Sequence, residues 1–142
     1  MCCVDRLNPP TLWGGFAVFA PDCQLFFAGD TGYSRDFADI RARFAERQRD
    51  GGFDIALIPI GAYEPRWFMQ SQHVNVEEAL KVHADLGVKA SLGVHWGTFE
   101  LTDEALDEPP RQLERQRAAL GLADDAFFTL PVGGTRRIPR RR

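Results

Sequence analysis

The chain has 142 residues, 44% hydrophobic and 26% charged, which is the composition of one globular domain with its own core and excludes a disordered chain. Its formal charge of −3 gives no electrostatic reason to bind nucleic acid or an anionic membrane. No apolar run is long enough for a transmembrane segment, and Asp5, Arg6, Asn8, Pro9 and Pro10 interrupt anything like a signal-peptide core.

Residues 1–10 read as an irregular amino-terminal segment. Cys2, Cys3 and Cys23 are odd in number and lack the two-residue gap of a zinc ribbon or redox motif, so a reducing, cytoplasmic setting is expected. After Pro9-Pro10, Thr11 to Ala20 forms a strand, loosened by Gly14 and Gly15. Pro21-Asp22 turns the chain, and Gln24 to Ala28 returns as the second strand of a hairpin. A helix follows from Ser34, with Phe37, Ile40 and Phe44 on one stripe and Arg35, Arg41, Arg43 and Arg47 largely on the other, until Asp50-Gly51-Gly52 ends it.

Phe53 to Ile60 is a third, buried strand that stops at a long irregular loop, Gly61 to Val74. That loop carries Tyr63, Glu64, Arg66, Trp67, Met69, Gln72 and His73, and loops so rich in large and polar side chains are often functional. Asn75 caps the next helix, with Glu78 as its reciprocal partner and Gly87 closing it. Val76, Ala79, Leu80 and His83 fall at i, i+3, i+4 and i+7 and give its buried face. Val88 to Val94 is a fourth strand, ending at His95. Asp107-Glu108-Pro109-Pro110 opens a helix that Gly121 ends, Phe127 to Pro131 is a last strand, and residues 133–142 form a flexible basic tail with Arg136, Arg137, Arg140, Arg141 and Arg142. Strands alternating with helices imply an α/β layered fold.

Asp30, His73 and His95 each follow one of three successive strands, and in an α/β sheet such positions can converge at one edge. Asp30 and His95 also have plain structural explanations, and His73 in the long loop leaves both readings open. Asp30 fits an Asx turn and His95 fits a packed, hydrogen-bonded ring, while His83 on its apolar helix face reads as core. Together, one carboxylate and two imidazoles suit a divalent ion such as zinc.

The runs Thr11-Leu12-Trp13-Gly14-Gly15-Phe16, Phe27-Ala28-Gly29-Asp30-Thr31-Gly32-Tyr33, Ile58 to Met69, Gln72 to Ala79 and His95-Trp96-Gly97-Thr98-Phe99 resemble the metallo-β-lactamase superfamily. Within it they are most similar to the branch of zinc-dependent hydrolases like N-acyl-phosphatidylethanolamine-hydrolysing phospholipase D. The resemblance implies a four-layered αββα sandwich with a two-zinc site at one edge of its facing sheets. By the same resemblance Asp30 is the bridging metal ligand, His95 the last histidine ligand, and His73 a catalytic neighbour of the metals and substrate rather than a ligand. Tyr63, Glu64, Arg66 and Trp67 match as a motif only, with roles left open, and no ligand role transfers to His83.

The family's His-x-His-x-Asp-His segment, and a further histidine after it, have no counterpart before Asp30. Residues 11–132 are therefore expected to be the carboxy-terminal half of the domain: one mixed sheet with helices packed on its outer face. The implied function is metal-dependent hydrolysis of a small phosphodiester, ester or lactone, weak or absent in this chain alone because the zinc site is incomplete. The alternative is a non-catalytic remnant or interaction subunit. Either way Leu25 to Ala28 and Ile55 to Ile58 should expose apolar surface, open to self-association or to a partner chain.

Overall fold

A computed structural model describes residues 14–48 and 52–139. Residues 1–10 with Cys2 and Cys3, the first three residues of the expected strand from Thr11, Asp50-Gly51 and Arg140 to Arg142 lie outside the described residues. Apolar alternation and turn residues build one five-stranded sheet in the order β1-β2-β3-β4-β5. β1 (Phe16–Phe19) and β2 (Gln24–Phe27) form the expected antiparallel hairpin, pairing Phe16 with Phe27 and Val18 with Leu25. β3 (Ile55–Pro59), β4 (Ala90–Val94) and β5 (Phe127–Phe128) each join parallel to the strand before. Parallel neighbours need long crossovers, which here contain α1 (Asp36–Arg43), α2 (Arg66–Met69), α3 (Val76–Leu86) and α4 (Glu108–Ala119).

The two-residue period of the strands sorts side chains to two faces. On one face Phe26, Ala28, Ala56, Ile58, Ile60 and Phe127 pack with Phe37 of α1, Val76, Ala79, Leu80 and Leu86 of α3, and Leu113 of α4. These are the buried core, and the ring of Phe53 sits 5.5 Å from that of Phe26 and 5.6 Å from that of Phe19. Among the described residues the other face carries no helix over its hairpin end: Phe16 is 67% exposed, Val18 50% and Phe27 37%. The sheet is thus one-sided, as expected, and among the described residues the most exposed apolar side chains of this face lie on β1 and β2, with Leu57 of β3 half-buried beside Phe27. Along β3, expected to share it, Ile58 faces the helices at 0% exposure and Ile55 is buried at 6%. At the far edge Phe128 is buried beneath the guanidinium of Arg136, 4.0 Å from its ring centroid, because the chain beyond β5 folds back over it.

Local chemistry sets most helix ends. Asn75 Oδ1 accepts from Glu78 N at 2.9 Å, Glu78 Oε2 accepts from Asn75 N at 3.1 Å, and Gly87 takes the left-handed conformation at φ 59°. Asn75→Ala should cost about 1 kcal/mol, read as a lower urea midpoint with an unchanged slope. α1 stops at Arg43, earlier than its sequence stripe suggests, because Phe44 turns to set its ring 5.2 Å from Phe19 and the chain tightens into Arg47 N to Phe44 O. The 61–74 loop is not irregular throughout. α2 starts where the Glu64 carboxylate accepts from Arg66 N at 3.0 Å.

His83 is core, as read from its helix face: it is 8% exposed, with Nδ1 2.8 Å from the buried Ser91 hydroxyl. Burial holds its pKa below the ordinary histidine value of 6.5. The unfolded chain therefore binds the extra proton first, so this stability is full above pH 6.5 and is lost as the pH falls toward and through the folded value. His73 titrates in the same direction, so the comparison is with His83→Gln. The variant should lose less stability than the wild type between pH 7 and pH 5, measured by urea unfolding at each pH.

Candidate metal centre

β2, β3 and β4 are parallel neighbours, so their carboxyl ends open on one edge, where α/β sheets place ligands. Asp30 follows β2, His73 ends the long segment after β3, and His95 follows β4 directly. The structure brings all three together: one ligand atom from each lies within 4.8 Å of the others. His95 Nε2 is 3.7 Å from Asp30 Oδ1, and the rings of His73 and His95 stack at 5.1 Å and 28°.

Backbone geometry fixes this convergence. Gly29, at φ 68°, turns the chain into Asp30. Val74 N donates to Thr31 O at 2.8 Å, which ties the His73 segment to the Asp30 turn. A Cβ on Gly32 would sit 2.7 Å from Ser71 O, so only glycine admits that approach. His95 itself has φ 60°, a left-handed conformation costing a non-glycine residue about 1–2 kcal/mol, and such strain concentrates at functional sites.

A second layer of polar contacts holds the loop beneath. Glu104 Oε1 accepts from Ala62 N at 2.6 Å and Tyr63 N at 3.2 Å, while Oε2 accepts from Glu64 N at 3.0 Å. Burial pushes the Glu104 carboxyl up, but these amides and the Thr102 hydroxyl outweigh it and hold the group below the usual carboxylate range. Burial, then the neighbouring His95, lowers the His73 pKa, with Asp30 and Glu104 pulling weakly the other way. His73 is therefore a neutral imidazole near pH 7, with one nitrogen lone pair open to a cation or a proton. Its Nδ1 is buried and has no hydrogen-bond partner among the described residues, the situation that a ligand or substrate contact would resolve. The Asp30 carboxylate and the His95 imidazole, with the unsatisfied His73 nitrogen beside them, suit part of a divalent-metal site.

A cavity of about 300 Å³ opens beside His95, walled by Gly61, Trp96, Phe99, Glu104 and Leu106. Its polar groups are mostly committed elsewhere: Trp96 Nε1 donates to Gly93 O at 3.1 Å, and Glu104 is taken up by the 62–64 amides. The space is thus mainly apolar with His95 at one corner. Trp67, on α2, is 81% exposed with its ring 5.7 Å from that of Phe68, and Tyr63 is buried. Glu104 and the 100–106 part of the wall escaped the sequence reading. The only sequence hint is the Thr102-Asp103-Glu104 acidic turn, which does not disclose amide donors 42 residues away. Among the described residues no helix is long and apolar enough to cross a membrane.

Residues 5–96, which include Asp30, His73 and His95, match the family described as the beta-lactamase superfamily domain. The chain is 43% identical over 124 residues to N-acyl-phosphatidylethanolamine-hydrolyzing phospholipase D 1 of Caenorhabditis elegans, covering 86% of this chain and 33% of that protein. It is 46% identical over 104 residues to the mitochondrial N-acyl-phosphatidylethanolamine-hydrolyzing phospholipase D of Saccharomyces cerevisiae, covering 72% of this chain and 21% of that protein. Igni18, a metallo hydrolase from Ignicoccus hospitalis, superposes with a TM-score of 0.56 at 21% identity, over 88% of this chain and 44% of its own, a likeness of fold. The chain thus spans a third or less of the length of these two curated relatives.

Proposed function

Because this chain belongs to the metallo-β-lactamase superfamily of hydrolases, we propose that it is part of a zinc-dependent hydrolase in which Asp30 and His95 are metal ligands and His73 is the catalytic neighbour. The observation that carries this reading is the convergence of the three residues, within 4.8 Å, at the carboxyl edge of β2, β3 and β4. A bound divalent ion supplies Lewis-acid polarisation and a water of lowered pKa at neutral pH. Asp30 brings the negative charge such an ion needs, and its exposed side chain leaves it room to bridge two ions. His95 is aimed by its left-handed backbone. His73, neutral and half-buried, orients an anionic substrate oxygen or takes up a proton there.

The chain's three histidines are His73, His83 and His95, and His83 is committed to the core. Asp30 and His95 alone fall short of the roughly three protein ligands of a catalytic zinc, so another segment or chain completes the centre and this one alone hydrolyses slowly or not at all. The names of the relatives make an acylated phosphodiester the first substrate class to test, with its apolar part beside His95 in the cavity; esters and lactones follow. We place the protein in the cytoplasm on cysteine usage alone.

The test is a zinc titration of the purified chain, followed by the His73 and His95 ring resonances and by phosphodiester turnover. Weak, zinc-dependent shifts at both rings with little turnover are expected. No shift at His95 would refute the site, and two tightly held zinc ions with measurable turnover would refute its incompleteness. The exposed Phe16, Val18 and Phe27 favour a second reading, a subunit whose open sheet face packs on another sheet. Light scattering separates the two: a discrete oligomer without zinc binding supports the second, and a zinc-binding monomer the first.

A further inference from the structure

Arg66 begins α2 and its side chain reaches across the loop to the far end of the same segment. Nη1 donates to His73 O at 2.9 Å and to Tyr63 O at 3.3 Å, while Nη2 donates to Glu78 Oε2 at 2.6 Å. We infer that Arg66 is a positioning residue: its guanidinium, anchored by Glu78, holds the His73 main chain where the imidazole stacks on His95 beside Asp30.

The chemistry requires this side chain in particular. The three acceptors lie on two nitrogens of a planar fork, which an ammonium presents only as a single point. Glu78 serves twice, since the Oε2 that takes Arg66 also accepts from Asn75 N at 3.1 Å in the cap of α3. The guanidinium is therefore referred to a rigid helix rather than to a mobile loop. Both side chains of the pair are only 23% exposed, which strengthens their attraction and limits competition from water. The pair is also neutral as a unit, so Arg66 steadies the site without repelling a cation from Asp30 and His95. Main-chain bonds from His73 N to Met69 O at 2.8 Å and from Val74 N to Thr31 O at 2.8 Å hold the donor side of the same residues, and Arg66 supplies the restraint on the carbonyl side.

The value of this restraint rests on the role just proposed for His73, but its test does not. In the metal-free full chain labelled at histidine, the stacked rings should give a through-space proton contact between His73 and His95. Arg66→Lys keeps the charge and a partner in Glu78 but not the fork, and the contact should fall to noise. The amide resonances of β2, β3 and β4 and the melting midpoint should remain close to wild type. Arg66→Ala should lose the contact as well, and if that variant does not fold, Arg66→Lys decides. An undiminished ring contact in Arg66→Lys would overturn the inference and leave Arg66 as a brace between α2 and α3. Because no metal or turnover enters this measurement, a failed zinc titration cannot be mistaken for its failure.

Discussion

Asp30→Asn is expected to lower zinc affinity by more than the 10- to 100-fold typical of losing an outer-shell partner, with almost no change in melting midpoint. The side chain is 55% exposed, so no core contact goes with it, and substitutions at such positions usually stay within about 0.5 kcal/mol. Asparagine is chosen because it keeps the shape and the acceptor oxygen of an Asx turn while removing the charge. If Asp30 only satisfied loop amides, Asn would substitute for it and zinc affinity would not move. Calorimetric titration of both proteins at one pH, with unfolding curves alongside, distinguishes the outcomes.

Gly61→Ala should act on both stability and the metal centre. Its new Cβ would collide with the His95 carbonyl and lie 3.1 Å from Trp96 Cβ. Neither strand can yield cheaply, because Ile60 N donates to Val94 O at 3.0 Å and Pro59 pairs with Val94 in the parallel ladder. Overpacking of this kind costs about 1–3 kcal/mol, and here the displaced atom belongs to the peptide group of His95, the proposed ligand. A loss of that size with weaker zinc binding is expected. Gly14→Ala, where no described residue lies within 4 Å, is the control and should change neither. Normal zinc affinity in Gly61→Ala would show that His95 is not held by this contact.

What could be read from the sequence was what local chemistry decides. The Pro21-Asp22 turn, the Asn75 cap with Glu78, the Gly87 stop and the strands ending at Asp30 and His95 depend on neighbours a few residues away. The convergence of Asp30, His73 and His95 was legible too, since parallel strands place their carboxyl ends together whatever the connecting helices do. Features set by distant partners were not. Phe44 leaves α1 because Phe19 and Phe53 await its ring, and neither lies within a helical turn of it. Ile55 is buried although the same sheet face is open at Phe16, Val18 and Phe27. Glu104 gains its purpose from amides at 62–64, and Arg66 from a carbonyl and a carboxylate on either side of a helix cap.

The left-handed backbone at His95 has an evolutionary consequence. Glycine would occupy φ 60° without the steric cost that a Cβ brings. A lineage screened only for heat resistance would accordingly gain by discarding this imidazole, since most proteins hold some stability in reserve at positions where function demands strain. On the role proposed for it, histidine at 95 is thus a concession in thermal robustness.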